Sequence, residues 1–156
     1  MKNSFARALA MLAAVVVIWV APLSAREACN TASTAGAWAY TYTGTIYTPN
    51  GPIPAAAVGR FKGDAYGNIS GSQTRSLPGS SAVETVVGNI SVNPNCTGTI
   101  NVSVYQNGEL QRTAVLAIVY DNNVNHARAI FESLTANGNN VPVVITLDSN
   151  RQFPED

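Results

Sequence analysis

Ionisable side chains are scarce in this chain of 156 residues: charged residues make up 12% of it, and there is one histidine, His126. One imidazole and two cysteines leave no H-E-x-x-H stretch and no His/Cys cluster of the kind that holds zinc. No G-x-S-x-G elbow is present, and nothing in the spacing sets His126 beside a carboxylate and an exposed serine, as a triad requires. Asp64, Asp121 and Asp148 stand in or beside turns, where aspartate mimics a backbone acceptor. Glu84, Glu109 and Glu132 are scattered, so no carboxylate pair is selected for sugar hydrolysis. No D-x-[DN]-x-[DN]-G loop points to calcium. The sequence thus nominates no catalytic residue, no metal and no cofactor, and a non-enzyme is favoured.

Clustered positive charge is missing too. Arg60, Lys62, Arg75, Arg112, Arg128 and Arg151 are dispersed, whereas a phosphate backbone or an anionic membrane surface is gripped by a basic patch. Nucleic acid is therefore not an expected partner. Long apolar runs are absent as well. The longest, Ala8–Val20, has 13 residues, short for a bilayer-spanning helix. It follows Lys2 and Arg7 and precedes Pro22 and Leu23-Ser24-Ala25, which is the organisation of a secretory signal. The expectation is cleavage after Ala25, no stable membrane anchor afterwards, and a secreted or periplasmic single domain over residues 26–156. That domain has 131 residues and a net charge of −2 with His126 neutral.

Export makes the cysteines informative. Two cysteines in an oxidising compartment favour a Cys29–Cys96 disulfide, tying the start of the domain to its middle. The loop spans 67 residues of sequence separation, for which the chain-entropy estimate is about 4 kcal/mol. Asn68, Asn89, Asn95 and Asn101 head N-x-[ST] triplets, which are glycosylation acceptors only in a eukaryotic secretory pathway. The short, alanine-rich signal favours bacterial export.

Turn residues and period-two alternation fill the rest. In Trp38–Tyr47, Trp38, Tyr40, Tyr42 and Ile46 share one face, with Thr41, Thr43 and Thr45 on the other. Thr48-Pro49-Asn50-Gly51-Pro52 interrupts the run. Further strands are predicted over 55–62, 69–77, 82–92, 99–105, 110–120, 125–134 and 141–147, with Gly88 marking a bend or bulge and a polar tail from Ser149. Asn107-Gly108 is the clearest hairpin turn. Residues 126–134 tolerate a helix, but Ala127, Ala129 and Phe131 alternate with Arg128, Ile130 and Glu132, which favours a strand. Eight strands with short turns exclude a parallel α/β fold. An antiparallel up-and-down barrel is expected, with a two-sheet β-sandwich as the alternative.

Trp38, Tyr40 and Tyr42 project together, either as packing or as the lining of a cavity, since an eight-stranded barrel can be solid or hold one small ligand. Arg75, Arg112 and Arg128 are candidates to point inward at an anionic head group. Candidate ligand-binding residues are therefore Trp38, Tyr40, Tyr42, Arg112 and Arg128.

Gly36-Ala37-Trp38 forms a G-x-W element at the start of the first strand, and with the meander it resembles a lipocalin or, more broadly, a calycin barrel. The resemblance implies that Trp38 plugs one barrel end and that Arg151, near the last strand, packs over it. The T-D-Y element of that family is absent, and Tyr120-Asp121 matches it only in part. Gly36–Gly44, Ala57–Phe61, Gly67–Gly71 and Val92–Thr99 are similar to phrases in uncharacterised secreted bacterial β-barrel proteins, a group that supplies no functional residues. At the level of fold, small bacterial cyclases with such barrels are another analogy. The sequence is compatible with a barrel binding a small apolar or amphipathic molecule, a cyclase or isomerase using the cavity, and a structural or partner-binding domain with a solid core.

Overall fold

A computed structural model describes residues 29–152. The expected signal segment, 1–25, lies outside the described residues. Nine strands follow in order: β1 (Gly36–Thr48), β2 (Gly51–Gly63), β3 (Asn68–Leu77), β4 (Ser80–Val92), β5 (Thr97–Gln106), β6 (Glu109–Asp121), β7 (His126–Ala136), β8 (Asn139–Asn140) and β9 (Val143–Gln152). Every pairing is antiparallel. The chain meanders from β1 to β7, β9 slots between β7 and β1, and β6–β7 pairing completes the circle. The sheet is thus a closed barrel of eight long strands, not a sandwich. Two-residue β8 is the return arm of the hairpin that follows β7.

Residues 126–134 are strand, as their alternation requires. Three sequence expectations need correcting. Residues 149–152 are not a tail: Ser149 pairs with Tyr40 and Arg151 with Trp38, so β9 runs the full height of the wall. The second strand starts at Gly51, with Pro52 and Pro54 inside it. Over that stretch β2 pairs only with β1, so a missing N–H costs no ladder bond on the open edge. Gly88 carries no bulge, since β4–β5 register runs through it unbroken. Its role is close approach: a Cβ there would lie 2.1 Å from the Asn101 carbonyl oxygen, a spacing that only glycine permits. The bulges fall instead at Val104/Tyr105 and at Val115/Leu116. The second leaves Glu132 without a cross-strand partner on β6, and both Phe131 and Leu134 then reach the interior.

The two ends of the barrel differ. At one end the strands are joined by tight turns. Asn107-Gly108 and Asn137-Gly138 take positive φ at both central residues, which suits the twist of a two-residue hairpin. Such turns are too short to cover the mouth. The other end is sealed. Residues 29–35 cross it, held by the Cys29–Cys96 disulfide and by the Val92 N–H donating to Thr31 Oγ1 at 3.1 Å. Trp38, 1% exposed, forms the floor. Its Nε1–H donates to the Thr34 carbonyl at 2.9 Å, Phe61 stacks on it at 6.3 Å, and Tyr120 meets it edge-on at 5.7 Å. The Arg151 guanidinium lies 5.3 Å from the ring centroid and donates to the Ser33 carbonyl. This is the tryptophan–arginine pairing that the G-x-W resemblance implies.

Candidate functional site

Strand alternation sends two inward rows toward the open end with charge on them. On β3 the row is Ile69, Gly71, Gln73, Arg75 and Leu77; on β4 it is Glu84, Val86, Gly88 and Ile90. Glu84 is 1% exposed although ionisable. A buried carboxylate survives only when paired and hydrogen-bonded, and Glu84 is both. Arg112 from β6 grips it with two bonds, Nη1 to Oε1 at 2.8 Å and Nη2 to Oε2 at 2.6 Å. Arg75 Nε donates to Oε1 at 2.8 Å and Gln73 Nε2 to Oε2 at 2.7 Å. Gln73 in turn accepts a hydrogen bond from the Tyr40 hydroxyl at 2.8 Å. Burial by itself would raise the Glu84 pKa, but the bonds from Arg112, Arg75 and Gln73 outweigh it and hold it down to about 2. Burial alone would lower the Arg112 value, and the Glu84 bond and charge raise it instead. Tyr40 and Tyr42 are pushed up, first by burial. Across the neutral range the cluster therefore holds two guanidiniums, one carboxylate and two protonated phenols.

Tyr40 is seated by an absence. Gly59 lies opposite it in the β1–β2 register, and a Cβ at Gly59 would come within 2.7 Å of the phenol ring carbon Cζ. The glycine thus makes room for the ring, which brings the hydroxyl to Gln73. Tyr42, one step nearer the mouth, packs edge-on to Phe131 at 5.7 Å, and its hydroxyl faces the Arg112 charge.

Beside the cluster the interior is not filled. A cavity of about 110 Å³ lies beside the charged cluster, bounded by apolar side chains such as Phe61, Ile100, Val102, Leu116 and Leu147. Tyr40, Tyr42, Arg75 and Arg112 border it. The other two sequence candidates lie elsewhere. Trp38 sits beneath Phe61 in the floor, and Arg128 is on the outer wall with 69% of its side chain exposed, paired with Asp121. Arg128 misses the interior by parity: Ala127 and Ala129 take the inward positions on β7. Sequence reasoning also passed over Gln73 and Glu84. The signal for Glu84 was a charged residue in an otherwise apolar inward row; Gln73 stands in a row that already carries Arg75.

A second polar cluster lies outside the barrel. His126 Nδ1 meets Asp121 Oδ1 at 2.5 Å and Nε2 meets Asp148 Oδ2 at 2.9 Å, tying the end of β6 and the start of β7 to the middle of β9. With both ring nitrogens against carboxylates, Asp148 first and then Asp121 raise the His126 pKa. Among the described residues, no group of three or more His, Cys, Asp or Glu side chains is arranged to hold a metal ion. The cluster acts as a clasp on the wall. A raised histidine value means that its stabilisation is complete below the ordinary value of 6.5 and is lost as pH rises through the folded-state value. The melting-temperature gap between the wild type and His126→Asn should therefore be widest in mildly acidic buffer and narrow as the pH is raised. A gap independent of pH would show that the imidazolium form contributes nothing.

No protein-family model matches the chain, and no curated protein matches it. Among solved structures, an AttH candidate from Nitrosomonas europaea is similar at 10% identity and a TM-score of 0.41, over 76% of this chain and 52% of that one. Rv2717c from M. tuberculosis is similar at 14% identity and a TM-score of 0.36, over 78% of this chain and 94% of that one. The chain thus spans about half the length of the first of these. Among the described residues, no helix is long and apolar enough to cross a membrane.

Proposed function

We propose that the chain is exported and that its barrel binds one small apolar or amphipathic molecule. The observation that carries this reading is the unfilled apolar space bordered by a charged cluster. Barrel interiors of this strand number can be packed solid, and protein cores lose stability for every void they keep. Here about 110 Å³ is left open against a charged cluster. An apolar void of about 150 Å³ accepts benzene; this one is smaller, so the fitting occupant is a short chain, or a single ring that extends out of it, with its polar end toward the cluster. Tyr40, Tyr42 and Arg112 are the contacts we assign to it.

Trp38 offers a direct readout. The only other tryptophan, Trp19, lies in the expected signal segment, so the exported chain reports through one indole. Phe61 stacks on that indole and also borders the cavity. A saturable change in Trp38 emission on titration with single-ring and short-chain compounds is expected. Native mass spectrometry of protein purified from its own host should show a co-purifying small molecule. A flat emission across the panel together with a bare mass would overturn the binding reading.

A further inference from the structure

Inside the barrel the charges do not balance. Near the mouth stand Arg75, Arg112 and Glu84, two positive charges against one negative. The remaining carboxylates among the described residues, at Asp64, Glu109, Asp121, Glu132 and Asp148, are on turns or on outward positions of the wall, and none joins this cluster. Uncompensated charge in a poorly hydrated site is costly, so the surplus calls for an anion.

The hydrogen-bonding pattern says where that anion would sit. Glu84 takes both terminal nitrogens of Arg112 but only Nε of Arg75. The Nη groups of Arg75 make no hydrogen bond within the described residues, and they are not buried orphans. Arg75 keeps 19% of its side chain exposed and borders the cavity. One guanidinium edge is thus committed to the protein and the other is left for an oxygen acceptor. The Tyr42 hydroxyl, next to Arg112, is the neighbouring donor. Glu84 holds the two arginines in place and at the same time cancels one of their charges, which leaves room for a single negative charge and not for two.

We infer that the barrel selects small monoanions, a carboxylate carried on one ring or a short chain, with the carboxylate on the free edge of Arg75 and the apolar part in the adjoining cavity. This rests on the binding reading above and specifies its ligand class. Charge-assisted bonds to a guanidinium favour a carboxylate over a neutral hydroxyl. A donor such as an ammonium meets only cations and donors at this edge.

Benzoate, benzyl alcohol and benzylamine are nearly equal in size and differ in charge, so calorimetry and Trp38 emission with these three at neutral pH form the test. Benzoate should bind about 10- to 100-fold more tightly than benzyl alcohol, and benzylamine should bind most weakly. Arg75→Met removes the free edge while leaving Glu84 its two bonds from Arg112 and one from Gln73, so the barrel should still fold, which a thermal melt checks. In that variant benzoate affinity should fall to about that of benzyl alcohol, with benzyl alcohol itself changed by less than about 3-fold. Equal binding of benzoate and benzyl alcohol by the wild type would overturn the anion selectivity and leave the cavity reading standing. Failure of all three to bind would count against the cavity reading, and the anion inference would go with it.

Discussion

Glu84→Gln will destabilise the barrel by about 3 kcal/mol or more, a drop in melting temperature on the order of 10 °C for a domain of this size. The substitution preserves shape and removes charge. Arg112 and Arg75 would then stand side by side with no carboxylate between them, in a place where Glu84 itself is 1% exposed. Removing one partner of a buried ion pair leaves an uncompensated charge, which is the expensive outcome. The low end of the usual range applies because both arginines keep part of their side chains open to the cavity. Replacing all three charged residues together, as Arg75→Met, Glu84→Leu and Arg112→Met, removes the desolvation cost with the charges and should recover most of the lost stability. A triple variant no more stable than Glu84→Gln would show that the cluster contributes net stability and is not chiefly a site feature.

The acid limb checks the same assignment independently. The Glu84 pKa is lowered from 4.5 to about 2, so its stabilisation is complete above the ordinary carboxylate value and is lost as the pH falls through the folded value. The stability gap between the wild type and Glu84→Gln should therefore be constant from neutral pH down to about 5, then close toward pH 2. His126 behaves in the opposite sense, its contribution shrinking as pH rises. The two clusters can thus be separated by pH alone.

The all-β architecture was legible because the information for it is local. Period-two runs, Asn-Gly pairs and the absence of any crossover long enough for a helix all act within a few residues. The floor was legible for a different reason: Gly36-Ala37-Trp38 and Arg151 are distant in sequence but carry a resemblance that pairs them. The charged cluster was less visible. Nothing in the separate strands says which of Arg75, Arg112 and Arg128 faces in, because inward parity depends on each strand's register and on bulges such as the one at Glu132. Glu84 was passed over as one carboxylate among several. Its partners come from β3 and β6, so the pairing exists only once the barrel has closed. What alternation did contain was the oddity of Glu84 in an apolar inward row and of Gln73 beside Arg75 in another, and polar residues in such rows must find partners across the interior.

Trp38→Ala will cost about 3–5 kcal/mol, whereas Trp38→Phe will cost about 1–2 kcal/mol. The alanine variant loses the largest floor side chain, its stacking with Phe61, its edge contact with Tyr120 and the face beneath Arg151. It also loses the Nε1–H bond to Thr34, a direct side-chain tie between β1 and the 29–35 segment. Arg151 gains nothing in return, since its Nε is already buried without a partner. Phenylalanine keeps a ring for Arg151 and Phe61 and gives up only the Thr34 bond and part of the volume. The disulfide still tethers Cys29 in both variants, so the loss should be local before it is global. Hydrogen exchange at the Val92 amide, which donates to Thr31 in that segment, should accelerate strongly in Trp38→Ala and modestly in Trp38→Phe. Urea unfolding followed by circular dichroism measures the stabilities without relying on the missing indole. Equal costs for the two substitutions, or unchanged Val92 exchange in the alanine variant, would mean that the disulfide and the backbone close the barrel and that Trp38 only fills space.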